Sequence, residues 1–339
     1  MKNTPICSVV MAVYNGEETL TEAIDSILNQ TLKEFEFIIV DDASTDNTEL
    51  IIKSYDDPRI RYLKNNKNKY LGPSLNEGIK IANGKYIVRM DADDISYPNR
   101  LKVQYEFMEA KPSIGIAGSW ADIFGIKSGE LIYETNNFEI KLKLLFECHI
   151  LHPSIIIRKS LIDNNELCYD PVLQHSEDYD FFVRAFKLTK FANINQKLIN
   201  YRTTITSETR ETDEFRNKFY NQTKLDLFRM MDVEINQNEL MLYKRINHQI
   251  YSVLPNDIDA TNDLLTKMVN GNNKTLLFET KPFQDYLAQL FENVCRNSNE
   301  SSLTTFKSYK KSKLRTNYII KTKITLILFL KIILRIFKK

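Results

Sequence analysis

The chain has 339 residues, 43% hydrophobic, 11% aromatic and 27% charged, which suits one large core or two modest ones and excludes disorder over most of the length. Nine glycines and nine prolines exclude collagen-like and low-complexity organisation, and four scattered cysteines (Cys7, Cys148, Cys168, Cys295) without a CxxC pair fit a reducing, cytoplasmic setting. The net charge of +2 hides an asymmetry: residues 301–339 hold eleven Lys and Arg and no acid, leaving 35 basic against 44 acidic residues in 1–300. The body is therefore a poor partner for nucleic acid, whereas the basic, apolar tail suits an anionic lipid surface.

The apolar stretch Ile6–Val13 is short for a signal peptide and runs into Tyr14-Asn15-Gly16-Glu17, so it predicts a first strand over Ser8–Val13. A helix over Glu17–Asn29 follows, with Leu20, Ala23, Ile24, Ile27 and Leu28 on one face. Next come a strand at Phe35–Val40, a helix near Thr45–Ser54, a strand at Ile60–Leu63 and a helix near Pro73–Ala82. A strand at Lys85–Met90, a helix near Pro98–Glu109 and a strand at Ile114–Gly118 continue the alternation. Strands alternating with amphipathic helices predict an α/β fold with a mainly parallel, helix-covered sheet. Residues 120–205 read as mixed, with strands at Ser154–Ile157 and near Ala192–Ile199 and a helix from Glu177 to about Leu188. After Asp213 the pattern is helical and polar, which divides the chain into a first domain over 1–210, a helical region over 211–315 and a tail over 316–339.

In an open parallel sheet ligands bind outside the carboxyl ends of the strands. Three such ends are polar together: Tyr14-Asn15 after the first strand, Asp41-Asp42 after the second and Asp91-Ala92-Asp93-Asp94 after the fourth. A single acidic strand end is as readily a helix cap, but three in register point to a site. No GxGxxG or GxxxxGK[ST] follows a strand, so phosphates are not cradled by a glycine-rich loop. Alternating carboxylates in Asp91-x-Asp93 offer hard oxygens to Mg²⁺ or Mn²⁺, which suits a nucleoside diphosphate held through a metal. Glu177-Asp178 opens a helix behind Ser176 and reads either as capping and favourable charge at the helix end or as a general base, ionised at neutral pH.

These residues resemble the family-2 inverting glycosyltransferases of GT-A fold, particularly bacterial enzymes of surface-polysaccharide or lipooligosaccharide synthesis. The matching text is Ser8–Gly16, Ser26–Thr31, Val40–Asp46, Leu75–Ile79, Arg89–Ile95 with Pro98-x-Arg100-Leu101, His152-Pro-Ser154 and Glu177-Asp178, in family order over about residues 6–205. The resemblance implies that Ala12, Tyr14 and Asp42 contact the base and ribose of a nucleotide-sugar donor, that Asp91 and Asp93 form the metal-diphosphate motif with Asp93 the direct ligand, and that Asp178 is the base. Where the family often has Arg-x-His, this chain has Arg202-Thr203-Thr204, which leaves Arg202 to meet the diphosphate alone. The acceptor implied is a glycan or lipid-linked saccharide. His152, Glu177 and Trp120, the last just after the fifth strand, are candidate acceptor contacts; His152, before a proline, and Trp120, as a core anchor, read equally as structural. Arg89 beside the acidic motif reads as its charge balance.

In the tail the apolar run Leu326–Leu330 is broken by Lys331 and Arg335, too short for a span of about 20 residues. At helical spacing Lys321, Lys331, Arg335, Lys338 and Lys339 take one side and Leu326, Phe329, Ile333, Ile336 and Phe337 the other, the pattern of an interfacial helix or of one docked on the protein's own core. The expectation is a metal-dependent enzyme peripheral on the cytoplasmic face of the bacterial cell membrane. A polyprenyl-phosphate acceptor, which needs no base, and a non-enzymatic phospho-acceptor or binding domain are the competing readings.

Overall fold

The computed structural model describes residues 4–204, 214–247, 257–297, 302–312 and 314, so the tail over 316–339 lies outside the described residues. The chain divides into two compact units, Met1–Thr223 and Lys224–Lys339.

The first unit is built on a nine-stranded sheet. Strands β1 (Cys7–Val13) and β2 (Phe35–Asp41) are mostly apolar and buried at every position, as strands covered on both faces must be. They pair in parallel, with β3 (Ile60–Lys64) beside β2 and β4 (Tyr86–Asp91) on the other side of β1. Helices α1 (Leu20–Leu28), α2 (Thr48–Lys53) and α3 (Leu71–Ile81) connect these strands, and α1 buries Leu20, Ala23, Ile24 and Ile27 as its spacing predicts. Because the strand order reverses at β1, a crevice opens at the carboxyl ends of β1, β2 and β4.

Beyond β4 the sheet becomes mixed. After β5 (Ile95–Ser96) and α4 (Arg100–Ala110) come β6 (Ile114–Gly125), β7 (Gly129–Leu131) and α5 (Asn137–Leu144). Strand β8 (Ile156–Arg158) runs antiparallel between β4 and β6. Helices α6 (Lys159–Asn165) and α7 (Glu177–Ala185) precede β9 (Lys190–Thr203), which pairs in parallel with β6 and antiparallel with β5. The expected strand at Ser154–Ile157 starts later, because His152–Ser154 forms a 3-10 turn. Two strands outrun their apolar stretches, since β6 and β9 supply one another's backbone partners as far as Gly125↔Thr203. Trp120 thus sits inside β6 rather than after it, and Arg202 inside β9 rather than beyond it.

Among its described residues the second unit is helical over Gln237–Asn247, Asp257–Thr275, Thr280–Asn297 and Ser302–Lys311. Its core holds Leu264, Leu265, Met268, Phe283, Leu287, Phe291 and Tyr309.

Candidate active site

The sheet register sets Ala12 opposite both Val40 and Asp91, and Val13 opposite Asp41, so β1, β2 and β4 end level. A cavity of about 890 Å³ opens at this edge. Ala12, Tyr14, Asp42, Asp91, Asp93, His152, Glu177 and Asp178 all line it; Arg202 and Trp120 do not.

On the β2 side Asp42 is fixed from both ends. Its N–H donates to the Val13 carbonyl (2.8 Å), and its carboxylate accepts from Asn65 Nδ2 (2.7 Å) and the Lys69 N–H (2.9 Å). The turn after β1 is held by the loop after β2: Asn15, at φ 51°, accepts from the Thr45 N–H (2.8 Å), and Gly16 N–H donates to Thr48 Oγ1 (2.8 Å). A Cβ on Gly16 would sit 2.5 Å from Val13 Cγ2, so only glycine fits there.

On the β4 side Asp91, Asp93 and Asp94 bring one carboxylate oxygen each within 4.8 Å of the others. Arg89, 3% exposed, pairs with Asp91 at 2.5 Å; burial opposes the charge on this guanidinium, and Asp91 outweighs that and holds its pKa above the usual arginine value. Burial and the neighbouring Asp91 push Asp93 up to about 6, and burial with both neighbours raises Asp94 well above the carboxylate range. Asp94 Oδ1 accepts the Arg202 N–H (2.8 Å), but Oδ2 is buried without a hydrogen-bond partner. Three clustered carboxylates, Asp93 and Asp94 among them resisting ionisation, and one orphaned buried oxygen fit a divalent cation, which would satisfy both deficits.

The third wall comes from α7 and the turn before β8. Ser176 occupies the N-cap position of α7, yet its hydroxyl makes no capping bond and is buried without a partner, so the expected serine cap is absent. Asp178, half-buried, accepts from the Tyr179 N–H (2.7 Å). Glu177 is buried, and burial followed by Asp178 pushes its carboxyl up to about 7. His152 Nε2 lies 2.7 Å from the Tyr169 hydroxyl; burial and Arg89 hold its pKa well below the usual histidine value, so it is neutral. Titratable groups shifted this far within one cleft, Glu177 and His152 here, are characteristic of functional sites.

A model of the family described as Glycosyl transferase family 2 matches residues 8–164, from β1 into α6. An uncharacterized glycosyltransferase of Methanocaldococcus jannaschii is 40% identical over 208 residues, 58% of this chain and 71% of that protein. The chain belongs to glycosyltransferase family 2. WfgD of Escherichia coli, a UDP-Glc:alpha-D-GlcNAc-diphosphoundecaprenol beta-1,3-glucosyltransferase, is 30% identical over 190 residues, 56% of this chain and 73% of that protein. Among solved structures, Staphylococcus aureus TarS 1–349 with UDP-GlcNAc matches with a TM-score of 0.60 at 18% identity, over 90% of this chain and 89% of that one. The mannosyltransferase PcManGT from Pyrobaculum calidifontis, in complex with GDP-Man and Mn²⁺, matches at 0.52 and 15%, over 100% and 89%. At such identities the likeness carries the fold, which is of GT-A type.

In this glycosyltransferase Arg202 is held against the acidic cluster and does not line the cavity. Its Nε donates to the Asp93 carbonyl (2.7 Å), its Nη2 pairs with Glu22, and its guanidinium lies 4.4 Å from the Phe124 ring centroid. Trp120, mid-strand, donates its indole N–H to the Tyr133 carbonyl (2.9 Å). Arg100 of the Pro98-x-Arg100 motif is fully buried, donating to the carbonyls of Arg89 (2.6 Å) and Pro153 (2.7 Å), and so ties β4 to the turn that carries His152. Sequence reasoning overlooked Asp94 as a third carboxylate, although it was in plain view in the run, and the cavity-lining Asn68, Tyr70, His175 and Tyr201, which no local pattern marks.

Proposed function

We propose that this glycosyltransferase transfers a sugar from a nucleoside diphosphate, UDP in preference to GDP or dTDP, to a hydroxyl of a glycan or lipid-linked saccharide, with inversion, in bacterial surface-polysaccharide or lipooligosaccharide synthesis. The observation that carries this reading is the meeting, in one cavity, of the carboxylate cluster at the end of β4 and the Glu177-Asp178 pair at the start of α7. UDP as the nucleotide is supported by the UDP-Glc donor of WfgD and the UDP-GlcNAc bound to TarS, and a lipid-linked acceptor by the diphosphoundecaprenol-linked acceptor of WfgD.

In this reading Asp178 takes the proton of the acceptor hydroxyl. The oxygen attacks the anomeric carbon from the face opposite the nucleoside diphosphate, the sugar–phosphate bond breaks, and the configuration inverts. Asp42 and Tyr14 hold the nucleoside, while neutral His152 and Glu177, its carboxyl raised to about 7, are hydrogen-bonding partners for the incoming sugar. Asp91, Asp93 and Asp94 would hold Mn²⁺ or Mg²⁺, which when bound supplies positive charge beside the diphosphate. Arg202 positions that cluster through the Asp93 carbonyl and the Asp94 carboxylate.

The test is calorimetric titration of UDP into wild type and Asp93→Ala, with Mn²⁺ and with chelator. Binding is expected only for wild type with metal. Equal affinity in all four conditions removes the metal site from the mechanism.

A further inference from the structure

We propose that Tyr70 is a donor-binding residue, its ring forming with Tyr14 the two walls of a slot that stacks on the nucleotide base. The inference deepens the donor reading above and rests on it. Tyr70 immediately precedes α3 with φ 69° and ψ 174°, a backbone conformation essentially confined to glycine. Its side chain offers folding little in return: the residue is 51% exposed, its hydroxyl makes no hydrogen bond and its ring meets no other aromatic ring among the described residues. Tyr14 is in the same state at 50% exposure, and both line the cavity. Two unengaged aromatic rings on one cavity, one of them on a backbone that a tyrosine occupies only at a cost, act on a ligand or on nothing.

The chain connectivity selects the ligand. Asp42 is bonded to Val13 on one side and to Lys69 on the other, through the Val13 carbonyl and the Lys69 N–H, and Tyr14 and Tyr70 are the next residue in each of those segments. The two rings therefore follow directly on the two clamps of a buried carboxylate. A nucleobase is planar, has a π-face above and below and carries N–H groups on its edge; two aromatic rings and an intervening carboxylate answer all three features. The carboxylates that would hold the cation accompanying a diphosphate lie instead at Asp91 and Asp93, across β1.

Full-length wild type, Tyr70→Phe and Tyr70→Gly are titrated with UDP and with pyrophosphate, each with Mn²⁺, and the melting temperature of each variant is measured. Tyr70→Gly is expected to weaken UDP binding about tenfold, leave pyrophosphate binding unchanged and not lower the melting temperature, because glycine accepts the native backbone. Tyr70→Phe, which keeps the stacking face, is expected to match wild type. Unchanged UDP affinity in Tyr70→Gly overturns the proposal, as does an equal loss for pyrophosphate, a fall in melting temperature alongside binding, or an effect confined to acceptor KM. Should wild type favour GDP or dTDP, the same comparison is made with that nucleotide. Wild type that binds none of the three refutes the donor reading itself, a result distinct from any behaviour of the Tyr70 variants.

Discussion

Asp178 and Glu177 are sequence neighbours with different surroundings, and each carries its own prediction. Asp178, half-buried on the cavity and bonded to the Tyr179 N–H, is the proposed base. Asp178→Asn keeps the shape and that acceptor but cannot take a proton, so transfer is expected to fall about 10²–10⁴-fold with UDP affinity retained. A variant that keeps most of its activity demotes Asp178 to a helix-start residue. Glu177 is buried with its carboxyl raised to about 7, burial being the larger cause and Asp178 the next. Below the unfolded carboxyl pKa both states are protonated and Glu177 costs nothing; as pH rises to and through 7 the unfolded chain ionises first and stability is lost. Glu177→Gln should therefore match wild type near pH 4 and exceed it by about 2–3 kcal/mol at pH 8 in urea unfolding. A difference that does not change with pH excludes the raised carboxyl.

Helix α3 shows how one element serves core and site together. It lies across β1 and β2 at Gly78, where an added Cβ would come within 2.6 Å of Val10 Cγ1 and 3.3 Å of Val40 Cγ2. The close approach sets the N-terminal turn of the helix at the cavity, where Gly72 stands against Tyr169 and Glu177. Gly78→Ala is expected to destabilise by about 1–3 kcal/mol through overpacking and to weaken UDP binding as well, since the helix must lift from the strands. Urea unfolding and UDP titration check this; lost stability with intact binding would show the helix start to be independent of that contact. The helix itself was legible in the Pro73–Ala82 pattern, as were β1, β2 and β4, because burial on a regular backbone leaves a periodic trace. Strand β7 and the two-residue β5 were not, since a short strand is defined by its partners and not by its own composition.

For the whole chain the charge division supports the proposal that the basic tail associates with an anionic membrane. Among the described residues no helix is long and apolar enough to cross a membrane. Deleting Thr316–Lys339 is expected to release the protein from anionic vesicles while UDP binding persists. Each basic side chain near such a surface contributes about 1 kcal/mol, so wild-type binding should weaken as salt rises. Cosedimentation across a salt series tests this, and a truncated chain that binds vesicles equally well overturns it. The α/β alternation, the polar strand ends at Tyr14, Asp42 and Asp91, and the position of Glu177-Asp178 at a helix start were legible in the order of residues, since these depend on neighbours within a few positions. Folding in three dimensions was needed to show that Arg202 bonds to the acidic cluster without lining the cavity, that Arg89 pairs with Asp91, that Trp120 belongs to a strand, and that Tyr14 and Tyr70 share a cavity. These follow from strand register, buried charge pairing and backbone partners far apart in sequence, which leave no local trace in the order of residues.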